Sequence, residues 1–193
     1  MRHALTLFTT LALLGAVPFA VAGDGYVNDP AHHVYDESRD AEADVEAAFA
    51  RARLSGKRVL VVFGANWCHD SRGLVRHFQT SEISEFVGAN FETVWVDVDT
   101  PQMGMGRNLE LAAALGQDEV VGTPTVVLLD PMRVRINRQD TATAWRNSDS
   151  RTTDEVLAEL KSYAEWDFCY PMPVSAGEGE PFIAADCSTH TRP

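Results

Sequence analysis

Cysteine is scarce in this chain: three in 193 residues, at Cys68, Cys169 and Cys187. Cysteines this far apart complete no zinc pattern with the histidines or carboxylates, so no metal is expected. Cationic side chains are also few. Sixteen Lys and Arg face 28 Asp and Glu, a formal net charge of −12. That balance excludes nucleic acid and anionic membrane as partners, because both need clustered Lys and Arg. Beyond the N-terminus no apolar run is long enough to cross a bilayer. Internal repeats and low-complexity blocks are absent. Gly104-x-Gly106 has neither a third glycine nor a phosphate-binding lysine, and reads as flexible loop rather than nucleotide site. No cofactor is expected.

What is present begins with a targeting segment. Arg2 and His3 precede an almost wholly apolar stretch over 4–20, and Ala20-Val21-Ala22 fits the small-x-small cleavage rule. Residues 1–22 are therefore expected to be a cleaved signal peptide. A periplasmic or secreted location is expected with it, and no membrane attachment after cleavage. The remainder is long enough for one domain with a real core. Residues 23–37, with Pro30 and the pair His32-His33, read as an irregular lead-in. Adjacent histidines point to different sides of a helix or strand, so a surface pair is the simpler reading.

Period and turn chemistry divide the rest of the chain. Residues 38–54 predict an amphipathic helix with Val45, Ala48, Phe49 and Ala52 on one stripe and Gly56 as its stop. Residues 59–63 are a continuous β-branched and apolar run, which reads as a buried strand. Leu74, Val75 and Phe78 then recur at helical spacing, placing Cys68 in the first turn or cap of a helix. Unpaired N–H groups and the helix dipole favour an anion there, so a thiol in that place ionises more easily. A short helix capped by Ser81 comes next, then a strand over 91–97 and a helix over 108–115. After them stand a strand over 125–130, an edge strand over 133–137 as its hairpin partner, and a last helix over 154–166 capped by Thr153. That order predicts an α/β fold, a mixed sheet with helices on both faces.

The strand before Trp67-Cys68-x-x-Ser71, the helix after it, and the later Gly122-Thr123-Pro124-Thr125 together resemble the thioredoxin-like superfamily. The likeness covers residues 38–166 and is closer to secreted bacterial members with a Trp-Cys-x-x-Cys site. It implies the thioredoxin fold and a cis-proline loop at Thr123-Pro124 that faces the cysteine and pairs with an extended substrate backbone. Trp67 would wall the same groove. Proline is the residue at which a cis bond costs little. One departure matters most: Ser71 stands where the family usually has its second cysteine.

Thiol–disulfide exchange needs an attacking thiolate and a thiol that resolves the mixed disulfide. Cys68 meets the first need by position. His69, if charged, would hold a thiolate, and Asp70 would oppose one. Ser71 offers a hydroxyl to the sulfur but no disulfide. The expected function is thiol–disulfide exchange of the single-cysteine kind, isomerase or mixed-disulfide, acting on protein or peptide thiols and disulfides. Cys68 would be the nucleophile, with His69 and Ser71 as its modulators. The alternative is a non-catalytic peptide- or protein-binding module with a degenerate site. The tail, 167–193, carries the other two cysteines. In an oxidising compartment Cys169 and Cys187 are expected to pair, closing a loop worth roughly 3 kcal/mol. The rival arrangement has one of them reaching Cys68 as a distant resolving thiol.

Overall fold

The computed structural model describes residues 34–165. The expected signal segment, His32-His33, Trp166 and both tail cysteines lie outside the described residues.

The buried run forms β1 (Arg58–Gly64), in which every residue after Arg58 is buried. It lies at the centre of a three-stranded sheet. On one side it pairs in parallel with β2 (Phe91–Asp97), Val61 opposite Val94. On the other it pairs antiparallel with β5 (Thr125–Leu129), Phe63 opposite Thr125. The sheet is mixed, as expected.

Alternate residues of the central strand point to opposite faces, and each face is covered. Val59, Val61 and Phe63 pack under α1 (Ala41–Ser55) and α4 (Leu109–Ala114), against Val45, Phe49 and Leu111. Leu60 and Val62 pack under α2 (His69–Phe78), α3 (Ser81–Asn90) and α6 (Thr153–Ala164), against Leu74, Phe78, Ile83 and Leu160. Each fully buried side chain of this size contributes about 1.5–3 kcal/mol. Two such layers fix the sheet from both sides. α1 ends on Gly56 in the left-handed conformation, the stop that the sequence signals.

Several local expectations are corrected. The N-cap of α3 is Thr80, whose hydroxyl donates to His77 O, and not Ser81. The N-cap of α6 is Thr152, not Thr153. Its hydroxyl accepts Glu155 N–H at 3.3 Å, while Glu155 Oε2 accepts Thr152 N–H at 2.8 Å, a reciprocal capping box.

Residues 133–137 do not form a strand. Asp130 Oδ1 accepts the N–H groups of Met132 and Val134, which curls the chain tightly, and Arg133 takes a φ of 69°. Only a single bridge, Leu129 with Arg135, remains. Buried Asn137 finishes the edge of β5 instead, its side chain accepting Leu128 N–H and donating to Val126 O. The stretch expected as flexible loop holds a small hairpin, β3 (Asp99–Thr100) with β4 (Met105–Gly106), around a 3₁₀ turn at Pro101–Met103. Gly104, at φ 72°, makes that turn possible.

One segment has no counterpart in the sequence reading. α5 (Gln139–Thr143) runs into a 3₁₀ segment, Ala144–Ser150, that packs along α2 and buries Trp145 completely. Its residues are mostly small or polar, with one large apolar anchor, so no periodicity announces it.

Candidate active site

β1 ends at Gly64, and a turn over 65–67 delivers Cys68 as the N-cap of α2. Cys68 N–H bonds Ala65 O at 3.1 Å, and Cys68 O starts the helix by accepting Arg72 N–H at 3.1 Å. Opposite it runs the chain entering β5. The Thr123-Pro124 peptide bond is cis, and Cys68 Sγ donates to Thr123 O at 3.3 Å. Residues 55 positions apart thus meet at the end of the sheet where β1 and β2 finish and β5 begins. Cys68 is only 7 % exposed, and Thr123 and Pro124 are buried.

The flanking residues divide. Trp67 stands half out of the surface, its indole N–H donating to Asp99 O at 3.1 Å. His69 and Asp70, read from sequence as opposing influences on the sulfur, meet each other: His69 Nε2 lies 3.1 Å from Asp70 Oδ2. Asp70 is mostly buried, and its other oxygen accepts Asp149 N–H at 3.0 Å, tying α2 to the 3₁₀ segment. Ser71 is fully buried, and its hydroxyl accepts Ala65 N–H at 3.3 Å. Among the described hydrogen bonds none joins it to the sulfur, so it braces the turn beneath Cys68. Arg72 steadies the same turn from outside, donating to Asn66 O and Trp67 O.

The residue that sequence reasoning missed is Tyr35. It belongs to the stretch read as irregular lead-in, yet it is 1 % exposed. The Asn66 amide clamps its backbone, accepting Tyr35 N–H at 3.2 Å and donating to Tyr35 O at 2.6 Å. Its hydroxyl donates to Ser71 O at 3.4 Å, and its ring meets Trp95 edge-on at 5.4 Å. Burial holds the phenol well above its ordinary pKa, and the charge that Cys68 carries when ionised adds to this. Tyr35 is therefore a neutral donor beneath the site. A single tyrosine with no period around it gives no sequence signal.

Gly64 is required by that tyrosine. A Cβ at position 64 would fall well inside contact distance of the Tyr35 ring. Gly64→Ala is expected to destabilise the protein by about 1–3 kcal/mol, the usual cost of overpacking. Urea unfolding of the variant checks this. An unchanged midpoint would mean that Tyr35 does not lie over Gly64 in solution.

Residues 40–131 match the family model described as thioredoxin-like. The fold is thioredoxin-like. Among solved structures, the disulphide isomerase from Xylella fastidiosa Temecula1 is similar at 29 % identity with a TM-score of 0.62. The match covers 68 % of this chain and 96 % of that one. A thioredoxin from Thermus thermophilus matches at 27 % identity and a TM-score of 0.43, covering 61 % of this chain and 81 % of that one. A protein described as DsbH oxidoreductase matches at 18 % identity and a TM-score of 0.48, covering 82 % of this chain and 96 % of that one. No curated protein matches the sequence. Among the described residues no helix is long and apolar enough to cross a membrane, and no cluster of His, Cys, Asp and Glu could hold a metal ion.

Proposed function

We propose that this chain exchanges protein or peptide thiols and disulfides through Cys68 acting as a single nucleophile. The observation that carries the reading is the placement of Cys68 Sγ, at the N-cap of α2 and 3.3 Å from Thr123 O. The N-cap is where a thiolate finds unpaired N–H groups and the positive end of a helix dipole. The similarity at 29 % identity to a disulphide isomerase supports the same chemistry.

The steps balance without an outside electron carrier. The S–H proton of Cys68 leaves for solvent and its bond to Thr123 O is given up. The thiolate attacks one sulfur of a client disulfide, a Cys68–client bond forms, and the client's other sulfur departs as thiolate. A client thiolate then attacks the mixed disulfide, a new client disulfide forms, and Cys68 is released. Ser71 has no thiol to short-circuit this cycle, so the resolving thiol belongs to the client. Trp67, Thr123 and Pro124 line the groove that takes the client backbone. His69 and Ser71 act on Cys68 as modulators, the imidazole through its pairing with Asp70 and the hydroxyl by holding the turn. Export to the periplasm or beyond by a segment over 1–22, and a Cys169–Cys187 bridge, belong to the same reading.

A binding module without chemistry is favoured by one observation. The thiol is nearly buried and its hydrogen bond is taken by Thr123 O, which withholds the sulfur from a client disulfide. The two readings separate on Cys68 itself. Thiol exchange predicts that Cys68 alkylates at neutral pH faster than free cysteine does, and that Cys68→Ala lowers scrambled-disulfide repair to the uncatalysed rate. Slow alkylation with no repair by the wild-type chain would leave the binding module.

A further inference from the structure

Trp67, Met103, Met105 and Val121 are exposed large apolar side chains, at 53, 72, 58 and 46 %. All four stand at one end of the sheet. Trp67 follows β1, the two methionines belong to the hairpin after β2, and Val121 precedes Thr123. That end is the one that holds Cys68.

The hairpin is braced from below. Its first residue, Asp99, receives the Trp67 indole N–H on its carbonyl. Arg107, just past β4, donates its backbone N–H to Val98 O at 3.3 Å. Its guanidinium reaches Glu37 at 3.0 Å, Asp97 at 3.2 Å and Asp99 at 3.7 Å. The Leu109 side chain packs on Gly106. A two-residue ladder is marginal by itself, and fixing each backbone residue costs about 1–2 kcal/mol. Yet nothing apolar at the tip is buried in return. Methionine, unbranched and polarisable, suits surfaces that must accept many shapes.

Arg72 donates to Trp67 O and Arg146 lies against Gly122, but carboxylates outnumber guanidiniums around these side chains. At the base of the hairpin three carboxylates face one guanidinium. Beside Val121, two residues before Thr123, a cavity of about 400 Å³ has Asp118 and Glu119 in its wall. A segment lying across this end therefore gains from cationic side chains and loses from acidic ones.

We propose that the β3–β4 hairpin is a recognition lip for client polypeptide. It takes an extended segment of unfolded protein with an apolar side chain beside its cysteine and Lys or Arg further along. The apolar side chain lies on Trp67, Met103 and Met105, and the cationic end reaches toward Asp118 and Glu119. This deepens the thiol-exchange reading, because it says which disulfides are brought to Cys68.

The test uses the double variant M103S/M105S of the full chain, both positions being exposed. The reactive probes are dithiobis-nitrobenzoate, which is too small to need the lip, and short peptides bearing one cysteine as a thionitrobenzoate disulfide. One peptide has Leu beside its cysteine and Lys beyond, and the other has Asp in place of Lys. The rate read is mixed-disulfide formation at Cys68. The Leu–Lys peptide is expected to react about tenfold more slowly with the double variant, as loss of one or two apolar contacts implies. The small disulfide is expected to react unchanged. The Leu–Asp peptide is expected to be slower than the Leu–Lys peptide on the wild-type chain, with salt narrowing the gap. Equal peptide rates for wild type and variant would overturn the lip. A wild-type Cys68 inert toward the small disulfide would remove the thiol-exchange reading instead. The lip would then be decided by fluorescence anisotropy of a serine-for-cysteine Leu–Lys peptide. Weaker binding to the double variant supports the lip, and equal binding rejects it.

Discussion

Ser71→Cys is expected to turn a single-thiol site into a dithiol one. Positions 68 and 71 are three apart, at the cap and in the first turn of α2. Residues so spaced on a helix have side chains about 5–6 Å apart at Cβ, and a disulfide bridges Cα atoms up to about 7 Å apart. The new thiol would enter a fully buried place where Ser71 Oγ now accepts Ala65 N–H. Sulfur is a weak acceptor, so about 0.5–1.5 kcal/mol of stability would be lost. In exchange the mixed disulfide gains a resolving partner inside the chain. The purified variant should oxidise in air to a form in which neither Cys68 nor the introduced thiol alkylates before reduction. It should also reduce insulin with dithiothreitol as electron source, a reaction for which the single-cysteine chain is unsuited. Mass mapping of alkylated peptides gives the first result and insulin turbidity the second. Two freely alkylating thiols would show that Ser71 is not what keeps this site from dithiol chemistry.

Trp145→Ala is expected to cost the most stability. The side chain is fully buried among the residues beneath α2 and α6, and Arg151 stacks on its ring at 4.9 Å. Removing a buried tryptophan costs about 3–5 kcal/mol, against a total of about 5–15 kcal/mol for a domain. The damage should extend to the active site. The 3₁₀ segment that carries Trp145 is joined to α2 through Asp149 N–H to Asp70, through the Arg76–Asp149 pair, and through His77 to Ser148 O at 3.0 Å. Gly73 lets the two backbones approach there, since a Cβ on it would collide with Asp149. A helix that loses this support holds Cys68 less firmly. Denaturant unfolding followed by far-ultraviolet dichroism should show the lower midpoint. Alkylation of Cys68 below that midpoint should become faster as the thiol is uncovered. A loss under about 1 kcal/mol would mean that the cavity collapses and that Trp145 is dispensable.

The sequence was legible where structure is local. Seven residues of β1 announce a buried strand because six are apolar or glycine in an unbroken run. The spacing of Leu74 and Phe78 announces α2, and Gly56 announces the end of α1. With those boundaries set, Cys68 has to fall at the helix start. The caps expected at Ser81 and Thr153 are one-residue errors, because a second hydroxyl residue, Thr80 or Thr152, stands immediately before each. The strand expected over 133–137 failed for a different reason. Its apolar alternation is genuine, but one carboxylate, Asp130, turns the chain before a ladder can form.

By itself, then, the sequence determined the layered α/β order, the central strand and the position of Cys68 at the head of α2. Each arises from the preferences of a dozen adjacent residues. The likeness to the thioredoxin-like superfamily pointed to Thr123-Pro124 as facing Cys68, but only the tertiary structure decided which atoms surround the sulfur. Thr123 O reaches it from 55 positions away, Tyr35 braces Ser71 from 36 away, and Asp149 N–H meets the carboxylate of Asp70 from 79 away. Such contacts depend on how two layers close over the sheet, and no local pattern of residues carries that information.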